Sequence, residues 1–267
     1  IINMKRICIV GGCGHVGLPL GLVLANSGFE VTLLDINKKA VEMINSGVVP
    51  FKEDGAQELL RKELDEKTLV VTDDINVIKN QEVVIFITGT PVDEHHNPKI
   101  HEVLDVVKYY LPLMNVNQLV ILRSTIYPGT TQIIEQMLYN HFGVQPKLAF
   151  CPERILQGKG IEEIKNLPQI VSAISDKARQ EAEEIFEKIS PKIIHLDPME
   201  AELSKLMTNT WRYLEFAVAN QFYMMVEDKG LDFYKILDAM KCDYPRAKSF
   251  CKAGLAAGPC LFKDTMQ

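Results

Sequence analysis

A glycine-rich stretch near the start of the chain constrains the possible folds more than any other part of the sequence. Residues 6–10 (RICIV) are typical of a short β-strand, and Gly12, Gly14 and Gly17 lie between them and an apolar helical pattern. A second β-rich run ends at Asp35, close to the roughly 20-residue spacing at which such units carry an acidic residue. This order is that of a βαβ unit that holds a dinucleotide.

Each glycine of this spacing has a physical task in such a unit. Gly12 permits the tight turn after the strand, Gly14 lets the backbone approach a pyrophosphate, and Gly17 lets the helix pack closely on the strand. The N-terminus of the helix adds N–H groups and a positive dipole end, which favour phosphate. A glycine turn in a ligand-free α/β fold is the alternative that the spacing leaves open.

Asp35 indicates which dinucleotide the unit would take. Its carboxylate can accept hydrogen bonds from the adenosine ribose hydroxyls and would repel a 2′-phosphate, so NAD is favoured over NADP. Lys38 and Lys39 follow closely and could neutralise such a phosphate, which keeps NADP open as the alternative.

Short apolar runs alternate with amphipathic stretches over most of the chain, which predicts a parallel sheet with helices on both faces. The run 82–88 (EVVIFIT) is nearly all apolar, as expected for a parallel strand buried on both sides. We predict an α/β fold in which residues 1–197 form a Rossmann-like, doubly wound, NAD-binding domain. The predicted strands cover residues 6–10, 30–34, 69–72, 82–88, 118–122, 147–150 and 192–195.

Polar residues follow two of these strands at their carboxyl ends. Thr88, Gly89 and Thr90 close one strand, and Ser124 and Thr125 close the next. Open α/β sheets bind their ligands at the carboxyl ends of the strands. We therefore expect these residues on the cofactor side of the site.

A long helix is predicted after the last strand. Pro198 and Gly230 suit its two ends, and no glycine or proline interrupts the run between them. Lys205 and Asn209 lie four residues apart, so they share one face, which we expect to look into an active site. Residues 198–267 are therefore predicted to form a linking helix followed by an all-α central domain.

The same helix carries an apolar stripe that suits a second copy of the chain. Its members recur every three or four residues. They are Trp211, Leu214, Val218, Phe222 and Met225. We predict a homodimer through residues 198–229, with packing inside the monomer as the alternative.

Composition argues against several classes of function. The 267 residues carry a formal net charge of −6 and no basic stripe, which argues against nucleic-acid binding. No apolar run approaches the roughly 20 residues needed to cross a bilayer, so no membrane span is expected. His95, His96 and His101 have no carboxylates at ligand spacing around them, so no metal site is predicted.

Six cysteines are present, and none forms a Cys-x-x-Cys pair. Reduced thiols and a cytoplasmic location are therefore expected. Cys260 is the candidate nucleophile, since a nearby helix start and Lys263 would both favour its thiolate. Cys151 is the rival candidate, Cys13 is expected to serve packing, and a buried structural role is the alternative for Cys260.

Seven segments, spread from one end of the chain to the other, resemble the nucleotide-sugar 6-dehydrogenases, the UDP-glucose/GDP-mannose dehydrogenase family. They are ICIVGGCGHVGLPLG, LLDIN, TGTP, RSTIYPGTT, FCPERILQGK, AELSKLMTNTWRYLEFAVAN and AGPCLFKDT. The later segments are far more specific than the glycine spacing. The resemblance implies NAD-dependent oxidation of the C6 hydroxyl of a nucleoside-diphosphate sugar to a carboxylate in two hydride transfers, with a UDP-sugar as the expected substrate.

The resemblance also implies roles for individual residues. Cys260 corresponds to the nucleophile that would hold the sugar as a thiohemiacetal and then as a thioester. Lys205 and Asn209 correspond to the residues that stabilise the developing oxyanion. The candidates for handling protons or the hydrolytic water are Asp264, Glu153 and Thr131.

Binding residues are implied in two groups. The cofactor side consists of Gly12, Gly14, His15, Val16, Gly17, Asp35, Lys38, Thr88, Gly89, Thr90, Ser124 and Thr125. The substrate side consists of Glu153, Arg154, Ile155, Leu156, Lys205, Asn209, Phe250, Lys252, Gly254 and Lys263.

Two features depart from the family pattern. Residues 254–260 (GLAAGPC) have fewer glycines than the family's nucleophile loop and are one residue shorter. The chain also stops at Gln267, before the C-terminal nucleotide-binding domain of the family, so we expect a fragment that binds NAD but turns over poorly. The alternative functions are a 6-phosphogluconate or 3-hydroxyacid type dehydrogenase, which needs no cysteine, and a non-catalytic NAD-binding module.

Overall fold

The computed structural model describes residues 5–89, 100–255 and 264–265. Strands and helices alternate through most of these residues. The strands are β1 (Arg6–Val10), β2 (Glu30–Leu34), β3 (Leu69–Thr72), β4 (Val83–Phe86), β5 (Leu119–Leu122), β6 (Lys147–Phe150), β7 (Gln169–Ala173) and β8 (Ile193–His195). The α-helices are α1 (Gly17–Asn26), α2 (Lys38–Asn45), α3 (Ala56–Asp65), α4 (Ile100–Tyr110), α5 (Thr130–Phe142), α6 (Gly160–Asn166), α7 (Asp176–Phe186), α8 (Pro198–Glu227) and α9 (Phe233–Lys241).

The strands that the structure describes form one eight-stranded sheet in the order β3-β2-β1-β4-β5-β6-β7-β8. Neighbouring strands are parallel except for β6 and β7, which pair antiparallel. The strand order reverses between β1 and β4, which is the switch point at which doubly wound sheets bind ligands. The predicted Rossmann-like α/β fold is confirmed.

The sequence prediction missed strand β7 and helix α6 before it. Two polar residues, Gln169 and Ser172, interrupt the apolar run of β7, yet all five of its residues are buried. Ser172 Oγ donates to the Phe150 carbonyl oxygen at 2.7 Å, so this hydroxyl is satisfied inside the core. Such partners come from distant parts of the chain, and a local pattern does not reveal them.

Apolar clusters cover both faces of the sheet. In β1, Ile7 and Ile9 belong to one cluster, whereas Cys8 and Val10 belong to the other. Successive side chains of a strand point to opposite faces, so a strand that is buried on both sides, such as β1, is mostly apolar.

Helix α8 is a single helix of 30 residues. The Glu200 carboxylate accepts the Asp197 backbone N–H at 2.9 Å and so closes the first turn. Past the last turn, Gly230 has a φ of 66°, and the Leu231 N–H donates to the Val226 carbonyl oxygen at 3.2 Å. The predicted long helix is confirmed, and it ends as the chain enters the left-handed region at Gly230.

The chain divides into two compact units, with a boundary between Leu203 and Ser204 inside α8. The first unit holds the sheet and its helices, and the second holds the rest of α8 together with α9. Asp232 caps α9 by accepting the Tyr234 N–H at 2.9 Å. The domain boundary predicted between residues 197 and 198 stays a prediction. Among the described residues, no helix is both long enough and apolar enough to cross a membrane.

Candidate active site

The turn between β1 and α1 is packed so closely that a side chain would not fit at several positions. Gly11 has a φ of 78°, and its N–H donates to the Leu34 carbonyl oxygen at 2.9 Å. A Cβ on Gly12 would lie 2.8 Å from the Leu33 Cβ, and a Cβ on Gly17 would overlap the Gly11 carbonyl oxygen. The first and last glycines of the predicted spacing therefore allow α1 to approach the strands, and Gly11 is a further requirement that the prediction missed.

Gly14 lies on the open side of this turn. Among the described residues, a Cβ there would meet only the Gly11 carbonyl oxygen, at 3.7 Å, and the residue is exposed. His15 is also exposed, and its ring lies 4.0 Å from the Phe51 ring between centroids, while Val16 is the N-cap residue of α1. The open backbone at the start of a helix is the space that a pyrophosphate requires.

Asp35 connects the glycine turn to the end of β2. One of its carboxylate oxygens accepts the Cys13 N–H at 2.9 Å, and the other accepts the Asn37 N–H at 3.0 Å. The side chain is half-buried, and each oxygen has a second lone pair for a donor such as a ribose hydroxyl. Lys38 is exposed and lies 3.6 Å from the carboxylate of Asp73.

The parallel pairing of β4 and β5 brings two of the predicted strand-end residues together. Ser124 is buried, and its Oγ accepts the Thr88 N–H at 2.7 Å and lies 3.3 Å from the Thr88 hydroxyl. Gly89 is exposed and Thr125 is half-buried. Thr90 lies outside the described residues.

Glu153 belongs to a polar cluster that the sequence prediction found only in part. Arg123, just after β5, is 2% exposed, and its guanidinium donates to one Glu153 carboxylate oxygen. The other oxygen accepts the N–H groups of Arg154 at 2.7 Å and Ile155 at 3.0 Å. One positive charge and two backbone donors therefore orient this carboxylate, whose side chain is 12% exposed.

The other contacts of Arg123 hold it inside the core. Its Nη1 donates to the Cys151 carbonyl oxygen at 3.0 Å and to the Gln169 side-chain oxygen at 2.9 Å, and its guanidinium lies 5.0 Å from the Phe186 ring centre. Gln169 donates in turn to the Pro152 carbonyl oxygen at 3.2 Å. The sequence prediction missed Arg123 and Gln169. An arginine that closes an apolar strand (QLVILR) was the available signal, because a buried charge needs a partner.

The residues after Glu153 make contacts of their own. Arg154 donates to the Pro168 carbonyl oxygen. Burial lowers the pKa of the Arg154 guanidinium, and the Glu153 carboxylate opposes that shift. Leu156 is exposed, and its N–H donates to the Glu163 carboxylate at 2.5 Å.

Thr131 is fully buried at the start of α5 and bonds to Glu202 of α8. One Glu202 carboxylate oxygen accepts the Thr131 N–H at 2.9 Å and its hydroxyl at 2.5 Å, and the other accepts the Gly129 N–H at 2.6 Å. The negative charge of Glu202 is well placed at the N-terminus of a helix. The Thr131 hydroxyl proton is therefore directed at Glu202, a partner that the sequence prediction missed.

In the second unit, α8 contacts the segment that follows Cys260. Asn209 is buried, and its side-chain amide donates to the Asp264 carboxylate at 2.5 Å. Two predicted catalytic residues, 55 positions apart in the sequence, are thus brought together. Lys205, one turn earlier on α8, is half-buried. Cys260 and Lys263 lie outside the described residues.

Three further residues that were predicted to bind substrate lie in the second unit. Phe250 stacks on Phe222 of α8, with ring centroids 5.6 Å apart. Lys252 is exposed. Gly254 is exposed as well, and its backbone bonds to the side chain of Asn220.

Burial argues against Cys151 as the nucleophile. Its side chain is fully buried, and burial raises the pKa of its thiol to about 12. Burial, reinforced by the negative charge of Asp35, also raises the pKa of Cys13 to about 12. A nucleophilic cysteine needs an accessible thiolate, so neither residue fits that role, and the predicted packing role of Cys13 is confirmed.

Two family models match the chain, one in each part. The NAD binding domain of the UDP-glucose/GDP-mannose dehydrogenase family matches residues 5–190, and the central domain of that family matches residues 199–267. The chain belongs to this family. Its cofactor is NAD, and the residues present fit that group, since the glycine turn leaves room for a pyrophosphate and Asp35 lies beside it.

Relatives of this family member match almost all of the chain. UDP-N-acetyl-D-mannosamine dehydrogenase of Pyrococcus horikoshii is 30% identical over an alignment of 264 positions, which covers 97% of this chain and 62% of the relative. UDP-glucose 6-dehydrogenase TuaD of Bacillus subtilis is 25% identical over an alignment of 269 positions, which covers 98% of this chain and 58% of the relative. A solved structure of UDP-D-ManNAc dehydrogenase from Pyrococcus horikoshii has a TM-score of 0.91 at 30% identity, covering 98% of this chain and 63% of that one. The chain therefore spans 58% to 63% of the length of these proteins.

Proposed function

We propose that this family member oxidises the C6 hydroxyl of a nucleoside-diphosphate sugar to a carboxylate, with a UDP-sugar as substrate. The hydrogen bond between Asn209 and Asp264 carries the proposal, because it joins the helix face of the oxyanion candidates to the segment just after Cys260. The glycine turn and Asp35 supply the NAD side of the reaction. Family membership favours this reaction over a 6-phosphogluconate or 3-hydroxyacid type oxidation, which needs no cysteine.

The overall reaction converts the alcohol, two NAD⁺ and one water into the carboxylate, two NADH and three protons. NAD supplies the acceptor for the hydride in each oxidation. Between the two oxidations the Cys260 thiolate adds to the aldehyde carbon and holds it as a thiohemiacetal, which loses the second hydride to become a thioester. Water then cleaves the thioester and restores the thiolate.

Lys205 and Asn209 are proposed to donate hydrogen bonds to the substrate oxygen as it becomes negative. Removal of one such donor typically lowers kcat by about 10²- to 10³-fold. Asp264, which Asn209 holds, is proposed to take up protons from the substrate or the water. A catalytic carboxylate must be held in place, and the bond from Asn209 supplies that restraint.

Glu153 is proposed to direct the water that cleaves the thioester. Arg123 and two backbone N–H groups orient its carboxylate, so it offers water a fixed acceptor. The catalytic role of Thr131 stays a prediction. The Thr131 hydroxyl proton is directed at Glu202, so in such a role the hydroxyl oxygen would accept a hydrogen bond from the water.

Replacing Cys260 by alanine is expected to abolish the complete oxidation. Without the thiolate the thioester cannot form, so turnover should fall by at least about 10³-fold and the NADH released per sugar should fall from two to at most one. NADH yield and product mass, measured on the intact protein with UDP-glucose and UDP-N-acetylmannosamine, check both values. The same panel tests which of these sugars is the substrate.

The matched control is Cys242→Ala, which removes an exposed cysteine of the second unit and should leave the yield at two NADH. A yield of two NADH from Cys260→Ala would contradict the proposed mechanism.

We also propose that α8 carries a homodimer interface. The predicted apolar stripe is exposed on this helix, with the five side chains between 41% and 64% exposed. Its members are Trp211, Leu214, Val218, Phe222 and Met225. A row of large apolar side chains along one helix face suits helix packing between two copies of the chain.

Trp211→Glu combined with Met225→Glu is expected to convert a dimer into a monomer. Each substitution would place a carboxylate in the proposed interface without a partner, and burying such a charge is costly. Light scattering at matched concentrations measures the mass of both proteins. Val144→Glu, which changes an exposed apolar residue of the first unit, is the control. A monomeric wild-type chain would contradict the proposal.

A further inference from the structure

We infer that Asn220 is a positioning residue that fixes the chain to α8 at Gly254, six residues before Cys260, an inference that rests on the proposed function. The Asn220 Nδ2 donates to the Gly254 carbonyl oxygen at 2.8 Å, and its Oδ1 accepts the Gly254 N–H at 2.8 Å. Two residues of paired antiparallel strands exchange the same two bonds. The side-chain amide therefore takes the place of a strand partner and fixes both the position and the orientation of Gly254.

A second anchor lies on the same helix. Asn209 donates to Asp264 at 2.5 Å, and it precedes Asn220 by eleven residues. Eleven residues are close to three turns, so the two asparagines share one face of α8 and lie about 16 Å apart along it. They hold Gly254 and Asp264, which precede and follow Cys260 in the sequence. The chain is thus bonded to the same helix at one residue before Cys260 and one residue after it.

The chain before Gly254 is also attached to α8. Phe250 stacks on Phe222, and the Cys251 thiol donates to the Glu215 carbonyl oxygen at 3.1 Å. Of these contacts, the one that Asn220 makes with Gly254 lies nearest to Cys260 in the sequence.

The two bonds give Gly254 a different role from the one the sequence suggested. Its N–H already bonds to Asn220, so this N–H is not available as a donor to a sugar. No atom of the described residues lies within 4 Å of the place where a Cβ on Gly254 would be. We assign Gly254 to anchoring of the loop and not to substrate binding.

Anchoring matters because a nucleophile must be held about 3–3.5 Å from the carbon it attacks. A displacement of about 1 Å can cost about 100-fold in rate. The bonds at Gly254 and Asp264 fix the chain six residues before Cys260 and four residues after it.

Asn220→Ala tests this inference through two measurements on the intact protein. Exchange of the Gly254 amide hydrogen, followed by mass spectrometry of peptides over residues 249–255, is expected to become about tenfold faster. With a UDP-sugar as substrate, kcat is expected to fall at least about tenfold, whereas KM for NAD should stay within about twofold because the glycine turn is untouched. Peptides from α8 report whether the helix itself is intact.

Two further variants sharpen the test. Asn220→Asp keeps the acceptor for the Gly254 N–H, so it should restore protection of that amide and part of kcat. Gln221→Ala changes an exposed neighbour on α8 and should alter neither measurement. Comparison of the three variants separates loss of the anchor from a general effect on the helix.

Unchanged exchange at Gly254 in Asn220→Ala would overturn the anchor. Faster exchange with an unchanged kcat would overturn the positioning role. If the wild-type protein oxidises no nucleotide sugar while Gly254 still responds, the proposed function fails and the anchor stands.

Discussion

Arg123→Met is expected to lower the free energy of unfolding by about 3–5 kcal/mol. The substitution removes the charge that faces Glu153 and takes the donors away from the Cys151 carbonyl oxygen and the Gln169 side chain. The methionine side chain fills much of the same space but offers no hydrogen bonds. Deleting one partner of a buried ion pair is costly because the remaining charge stays where water solvates it poorly.

Chemical unfolding of the wild-type protein, Arg123→Met and Arg179→Met measures the free energy of unfolding that each substitution removes. Arg179 is 33% exposed and pairs at the surface with Asp176, so its replacement should cost at most about 1 kcal/mol. Arg123→Lys returns the charge without the planar set of donors and should recover only part of the loss. Equal losses in the two methionine variants would refute the structural importance of Arg123.

A double-mutant cycle identifies the counter-ion of Arg123. Glu153→Gln added to Arg123→Met should recover part of the lost stability, because a neutral amide leaves no unpaired charge. We expect a coupling free energy of about 1–3 kcal/mol between the two sites. A coupling near zero would mean that Glu153 does not depend on Arg123.

Gly17→Ala is expected to weaken NAD binding by at least about tenfold, a loss of about 1.4 kcal/mol, and to destabilise the first unit by about 1–3 kcal/mol. The added Cβ would overlap the Gly11 carbonyl oxygen and lie 2.7 Å from the Gly12 Cα. Both are backbone atoms, so relief requires α1 to move away from the glycine turn. The higher helix propensity of alanine, about 1 kcal/mol, does not offset that displacement.

Gly14→Ala is expected to separate the effect of this turn on NAD affinity from its effect on stability. Within the part of the chain that the structure describes, its Cβ would meet only the Gly11 carbonyl oxygen, at 3.7 Å, so stability should change by less than about 0.5 kcal/mol. NAD affinity should still fall, because the methyl group occupies the open side on which the pyrophosphate approaches. Calorimetric titration measures the affinity of both variants for NAD, and thermal unfolding measures their stability. Wild-type NAD affinity in Gly17→Ala would contradict the role of the turn, and wild-type affinity in Gly14→Ala would place the pyrophosphate elsewhere.

Sequence patterns predicted the parts of this protein whose structure depends on neighbours along the chain. The glycine turn is an example, since Gly12 and Gly17 are required by packing within one strand–turn–helix unit. Helix α8 is another, because its length follows from the residues between Pro198 and Gly230. The end of β2 at Asp35 was predicted for the same reason. Strand β7 was missed because its polar residues are satisfied by distant partners.

The contacts that orient the candidate site join residues far apart in the chain. Arg123 and Glu153 are 30 positions apart, and Thr131 and its carboxylate partner on α8 are 71 apart. Asn220 and Gly254 are 34 apart. The polar side chains were visible in the sequence, but their partners were not.

The sequence by itself therefore determined the α/β fold, the NAD turn and the long helix, because the spacing of glycine and apolar residues governs local backbone geometry and the burial of each element. Only the tertiary structure decided which buried polar groups meet. A buried donor takes whichever acceptor the closed sheet and the packed helices bring within hydrogen-bond distance, and residues adjacent in the sequence do not specify that acceptor.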